Sequence, residues 1–131
     1  MSGAASRAQE HDNPHAMEEN RMMLFTKENV RAMKANAKQP EMERKPIVKL
    51  FAPWGAATWL ISEYNEDTGE MFGLCDLGHG HPELGYVMRQ EIEQITGPFG
   101  LRIERDRHWE NDGRTLVAYA DEAREKGQLE A

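Results

Sequence analysis

The chain has 131 residues, of which 39% are hydrophobic and 30% are charged. This length and balance suit one globular domain, and a single cysteine excludes an internal disulfide framework or a cysteine-rich zinc site. No apolar run approaches the roughly 20 residues that span a bilayer, and the N-terminus has no apolar signal-peptide core. We therefore expect a cytoplasmic protein that has no membrane partner.

The net charge of −7 is unevenly distributed along the chain. Residues 1–62 carry nine Lys/Arg against seven Asp/Glu, whereas residues 63–131 carry seven against sixteen. Nucleic-acid binding requires clustered Lys and Arg that displace phosphate counterions, so direct nucleic-acid binding is not expected. An acidic surface instead attracts a basic protein partner over long range, unless the acidity serves only solubility.

The first half of the chain predicts a tail, a helix and three strands. Residues 1–21 lack apolar periodicity, which predicts a disordered tail and leaves a single domain over residues 22–131. Thr26 is the predicted N-cap of a helix over 27–36. Three β-branched and aromatic segments then follow with short, turn-rich connections, which predicts an antiparallel meander; they cover 47–51, 58–64 and 71–77.

The second half adds two strands and two helices. A short strand is predicted over 84–87, and a short helix over 89–95 ends before Gly97 and Pro98. The two-residue period of 101–109 predicts a fifth strand. Thr115 caps a final helix over 116–126, with Gly127 just beyond its end. The fold class is therefore α+β, a mainly antiparallel sheet of about five strands with helices packed on one side.

The densest group of reactive side chains lies in residues 75–86. Imidazole and carboxylate ligands suit zinc, manganese or iron, and the candidate ligands are Asp76, His79, His81, Glu83 and His108. The same segment also fits a tight turn, because Gly78 and Gly80 allow positive φ and Pro82 follows. We favour the turn and expect no cofactor; the alternative is a small metal-dependent enzyme with one divalent transition metal. Cys75 fits a small buried hydrophobe better than a nucleophile.

Several ordered motifs resemble the bacterial domain-of-unknown-function family numbered 2958. They are IVKLFAP (47–53), GAATWL (55–60), FGLCDLG (72–78), PELGYV (82–87), IERD (103–106) and AYADEAR (118–124). The resemblance runs from about residue 24 to the C-terminus. It implies carriage on plasmids and other mobile elements, and it supplies no catalytic residues. The Asp76-Leu77-Gly78 block is typical of the family, whereas apolar residues often occur at the positions of His79 and His81.

The leading functional hypothesis is a non-catalytic interaction module rather than an enzyme, in which the acidic half of the domain binds a basic protein. The mobile elements that the resemblance implies suggest a nucleic-acid-handling complex, including a host defence complex, as the partner. The sharpest form is a DNA-mimic inhibitor, which requires eight carboxylates to share one face: Glu63, Glu66, Asp67, Glu70, Glu91, Glu93, Glu104 and Asp106. Trp54, in a turn between Pro53 and Gly55, is the expected exposed aromatic contact. The protein is expected to be a monomer or a small homo-oligomer formed by strand-edge pairing.

Overall fold

A computed structural model describes residues 24–131, so the predicted tail over 1–21 and the predicted domain start at 22 lie outside the described residues. In chain order, the helices and strands are α1 (Lys27–Asn36), β1 (Val48–Phe51), β2 (Thr58–Tyr64), β3 (Glu70–Asp76), β4 (Glu83–Met88), α2 (Arg89–Gln94), β5 (Glu104–Arg105) and α3 (Leu116–Lys126). Short 3₁₀ turns occupy Glu41–Glu43 and Pro98–Gly100. No helix among residues 24–131 combines the length and the apolar composition that a bilayer crossing requires.

The sheet has five strands in the order β4-β3-β2-β1-β5, and every neighbouring pair is antiparallel. The α+β class and the predicted meander are therefore confirmed. The fifth strand is much shorter than the predicted 101–109. Arg102 pairs with Thr96 in an isolated bridge that closes the loop between them, so only Glu104 and Arg105 reach β1.

The helices cover both faces of the sheet, which corrects the prediction that they pack on one side. On one face, called here the α1 face, Trp59 and Ile61 pack with Met33 of α1 and Ile92 of α2. The opposite face is called the α3 face, and there Leu60 packs with residues of β3 and α3: Leu74, Leu116, Tyr119, Ala120 and Ala123. Burial is continuous from residue 59 to residue 62 of β2, as expected for a strand covered on both faces.

Local capping signals set the helix ends. Thr26 Oγ1 accepts the backbone N–H of Asn29 at 3.0 Å, and the Asn29 side chain accepts the N–H of Thr26 in return, so the predicted N-cap is confirmed. Thr115 accepts the N–H of Ala118 in the same way at the start of α3. Gly127 ends α3 with φ of 74°, the left-handed conformation that glycine adopts most readily.

Asn36 holds α1 against the sheet, a role that the sequence did not predict. Its buried Nδ2 donates to the backbone oxygens of Lys45 and Ser62, both at 2.8 Å. Ser62 lies where the β2–β3 register shifts between Ile61 and Glu63. Since a bulge leaves backbone groups outside the strand ladder, the Asn36 amide satisfies a carbonyl that the sheet does not.

Candidate interaction site at the edge of strand β4

The glycine-rich segment after β3 forms a tight turn. Asp76 is buried, and its two carboxylate oxygens accept the backbone N–H groups of Gly78 and Leu129, each at 2.8 Å. Gly78 and Gly80 both have φ of 85°, the positive values that the turn interpretation predicts. Asp76 therefore fixes both this turn and the segment that follows α3.

The five candidate metal ligands do not converge. His79, His81 and Glu83 are exposed around the turn, whereas His108 follows β5 at the opposite edge of the sheet. Within residues 24–131 there is no group of three or more His, Cys, Asp or Glu side chains close enough to hold a metal ion. The metal-dependent alternative therefore gains no support from the positions of these side chains.

The double substitution His79→Ala/His81→Ala is expected to change the melting temperature by about 4 °C at most. Each exposed side chain outside packed networks contributes within about 0.5 kcal/mol. Two of them amount to about 1 kcal/mol, which corresponds to a shift of that size in a small domain. The measurement is thermal unfolding with and without added zinc chloride. A zinc-dependent rise in melting temperature that the double variant loses would contradict the turn interpretation.

The eight carboxylates proposed to share one face are spread over the sheet. Glu66 and Asp67 lie in the β2–β3 loop, and Glu91 lies beside β4. Glu104 and Asp106 lie at β5, which is the fifth strand counted from β4. Four inter-strand spacings separate these edges by roughly 19 Å. These carboxylates therefore span the width of the sheet, and the single acidic face that DNA mimicry requires stays a prediction.

Half of the same carboxylates are also ion-paired with a basic residue. The pairs are Glu63–Arg44, Glu66–Lys34, Glu93–Arg89 and Asp106–Lys49. Paired carboxylates present less free negative charge to a ligand than their number implies. The acidity of the domain is thus partly neutralised within the fold. Outside these four pairs, Asp67, Glu70 and Glu104 are exposed among the predicted interaction residues.

Trp54 is half-buried rather than fully exposed. Its ring packs against the backbone of Gly97, where an added Cβ would collide with ring atoms, and it adjoins the core of the α1 face. The ring therefore braces the loop after α2 and leaves only part of its surface accessible. Trp54 as an interaction residue remains a prediction.

Strand β4 is an outer strand of the sheet, and its hydrogen-bonding pattern leaves one edge open. The Arg89 N–H donates to the Gly69 oxygen at 2.8 Å, in register with the β3–β4 ladder. Because bonded and non-bonded residues alternate in an antiparallel pair, Gly85 and Val87 bond to β3. Leu84 and Tyr86 therefore direct their N–H and C=O groups outward, and no strand within residues 24–131 pairs with that edge.

A groove of about 420 Å³ lies on the α1 face between β3, β4 and α2. It forms where Gly73 and Gly85 are paired across the two strands, so that neither contributes a side chain. A Cβ on Gly85 would meet no atom within 4 Å. The groove is lined by Trp59, Ile61, Cys75, Leu77, Ile92 and Ile95, with the carboxylates of Glu83 and Glu91 among the remaining lining residues.

A second groove, of about 310 Å³, lies on the α3 face of the same strand. Its apolar lining comes from Met42, Phe72, Leu84, Tyr86, Leu116 and Val117, and it also contains Glu41 and the Arg44–Glu63 ion pair. The Tyr86 ring packs edge-on against Phe72 with centroids 4.9 Å apart, yet 71% of the residue is exposed. Strand β4 is thus flanked by an apolar groove on each face.

The Cys75 thiol contributes apolar surface to the groove on the α1 face. Burial, followed by the negative charge of Asp76, raises its pKa above the ordinary value. Because the thiolate is the reactive form of cysteine, a raised pKa disfavours nucleophilic chemistry. The side chain behaves as the small hydrophobe that the sequence predicts.

One protein family matches nearly the whole described chain. The family model described as "Protein of unknown function (DUF2958)" covers residues 23–130, in agreement with the resemblance of the sequence motifs. No curated protein and no solved structure is detectably similar to the chain.

Proposed function

We propose that this chain, which belongs to the DUF2958 family, is a non-catalytic interaction module that binds a basic protein through the edge of β4 and its two grooves. The observation that carries the proposal is where the exposed apolar side chains lie. Of the six large hydrophobic residues exposed among residues 24–131, four line the grooves: Met42, Leu77, Tyr86 and Ile95. The other two, Phe99 and Leu101, follow in the next loop. Concentrated exposed apolar surface is typical of protein interaction sites.

The charges around the grooves favour a basic partner. Glu83 and Glu91 are exposed among the lining residues of one groove, and Glu41 is exposed in the other. Arg44 is the basic side chain among the residues that line the two grooves. It is already engaged by Glu63 at 2.8 Å and by the Gln39 and Ala37 oxygens. Complementary charge accelerates encounter and disfavours acidic competitors.

The partner that we propose is a basic component of a nucleic-acid-handling complex in the cytoplasm, including a host defence complex. The support for it is the acidic balance of residues 63–131 and the mobile-element setting that the motif resemblance implies. Binding of this kind requires no cofactor from the chain. The DNA-mimic form of the proposal has less support, because half of the carboxylates that it needs are ion-paired within the fold.

Site-specific photo-crosslinking in cells that encode the protein tests the proposal. A benzophenone side chain at position 86 is expected to capture one basic protein, identified by mass spectrometry. The same group at position 104 is the matched control, because Glu104 is also exposed but lies at the opposite sheet edge. Capture of the partner from position 104 and not from 86 would refute the proposed surface, and capture from neither would refute the interaction.

A further inference from the structure

We infer that the partner binds as an added sixth strand along the outer edge of β4, inserting two adjacent apolar side chains into the two grooves. This inference rests on the proposed function and specifies its binding mode. The segment that fits is extended, has two consecutive apolar residues and is flanked by Lys or Arg.

The backbone of β4 provides the first argument. Leu84 and Tyr86 direct N–H and C=O groups outward, and these groups form no hydrogen bond with another part of residues 24–131. Natural proteins usually protect such an edge with lysine, proline or a bulge. The six-residue strand β4 has none of these within Glu83–Met88. An open edge of this kind is the template for strand addition.

The alternation of side chains provides the second argument. Consecutive residues of an added strand point to opposite faces of the sheet. A residue beside Gly85 would enter the groove on the α1 face, where no Cβ obstructs it. Its neighbour beside Tyr86 would enter the groove on the α3 face. Glycine inside a strand often marks such a close approach by a ligand.

Charge selects a basic segment over a second copy of this chain. Two copies paired through β4 would bring together two grooves that each carry Glu83 and Glu91, on molecules of net charge −7. Like charges placed together at an interface disfavour the complex, whereas Lys and Arg beside these carboxylates favour it. The occupant is therefore a basic segment of another protein.

A random dodecapeptide library displayed on phage and selected against the full chain supplies the probe. The selected peptides are expected to share adjacent apolar residues with basic flanks. N-methylation along a synthetic copy is expected to abolish binding at alternate positions only, because every second N–H of an added strand bonds to β4. Tolerance of N-methylation at every position would overturn strand addition.

Amide hydrogen exchange of the full chain tests directly whether the peptide binds as an added strand. In the free protein, Leu84 and Tyr86 are expected to exchange fast, while Gly85 and Val87 exchange slowly. Bound peptide is expected to slow Leu84 and Tyr86 at least tenfold. Slow exchange of both amides without peptide would overturn the inference. Concentration-dependent protection would assign the edge to a second copy, and concentration-independent protection would assign it to another segment of this chain.

Two matched substitutions separate groove filling from a general loss of fold. Gly85→Leu places a side chain in the groove on the α1 face and is expected to weaken peptide binding at least tenfold. Gly55→Leu is its control: a Cβ there also meets no atom within 4 Å, and neither glycine has positive φ. Equal affinity of the two variants would overturn the inferred position of the peptide side chain.

Proline at position 86 tests how much the backbone N–H of this residue contributes to peptide binding. Because the Tyr86 N–H points outward, Tyr86→Pro removes a donor from the open edge without removing a bond to β3. Tyr86→Ala removes the same side chain and keeps the donor. Binding by the proline variant is expected to be at least tenfold weaker than by the alanine variant. Equal affinities would overturn strand addition, while crosslinking from position 86 would still support the proposed function.

Discussion

Replacing Gly73 with alanine is expected to lower the free energy of unfolding by about 3 kcal/mol or more. An added Cβ would collide with the carbonyl oxygen of Leu60 and would lie 3.0 Å from the Ile61 Cα. Both atoms belong to the backbone of β2, the central strand, so the collision cannot be relieved by a side-chain rotation. The measurement is urea unfolding followed by circular dichroism.

Gly85→Ala is the control for this prediction, because Gly85 lies directly opposite Gly73 in the β3–β4 register. A Cβ there meets no atom within 4 Å, so we expect the free energy of unfolding to change by no more than about 0.5 kcal/mol. This range includes the small stabilisation that alanine brings by restricting the unfolded chain. Equal destabilisation by the two substitutions would contradict the prediction. It would mean that both positions need the backbone freedom of glycine, and that the collision with β2 is not the cause.

Elements with strong local signals could be predicted from the sequence. The helix over 27–36 begins after the Thr26 cap, and the helix over 116–126 ends before Gly127, so both observed ranges equal the predicted ones. The range of β2 is also as predicted, because Thr58–Tyr64 is aromatic, β-branched and bounded by turn residues. Caps and turn residues act within a few positions, which makes them readable without tertiary information.

Features that depend on pairing between distant segments could not be predicted. The alternation of 101–109 suggested a long strand, but the Thr96–Arg102 bridge directs this part of the chain away from β1 until Glu104. The packing of α3 on the face opposite α1 follows from continuous burial along β2. An apolar run of this length fits a strand covered on one face or on both, so the sequence left the arrangement open.

The candidate site could be predicted only in part. The prediction of a turn with glycines at positive φ is confirmed, because positive φ is a local requirement. The grooves beside β4 depend on the register that sets Gly73 opposite Gly85. The isolated glycines within the predicted third and fourth strands were the available signal, since glycine inside a strand marks a close approach. Composition gave the total charge correctly, but the placement of Glu104 and Glu91 on opposite edges required the topology.

Leu60→Ala is expected to lower the free energy of unfolding by about 3–4 kcal/mol, as typical for a fully buried leucine. Leu60 is 0% exposed and lies at the centre of the α3 face, beneath Leu116 and Tyr119. Because α3 covers this face of β2 and β3, the cavity lies where the surroundings have little room to collapse. Thermal unfolding should show a decrease in melting temperature of roughly 12 °C or more.

Leu77→Ala is the matched control, since it makes the same substitution at a residue that is 53% exposed on the groove of the α1 face. We expect it to cost about 1 kcal/mol or less and to weaken peptide binding, whereas Leu60→Ala should leave the affinity of the folded fraction unchanged. A loss of stability in Leu60→Ala only, together with a loss of peptide affinity in Leu77→Ala only, would distinguish residues that stabilise the sheet from residues that contact a partner at the edge of β4. Loss of both properties in both variants would mean that the grooves are part of the folding core rather than a binding surface.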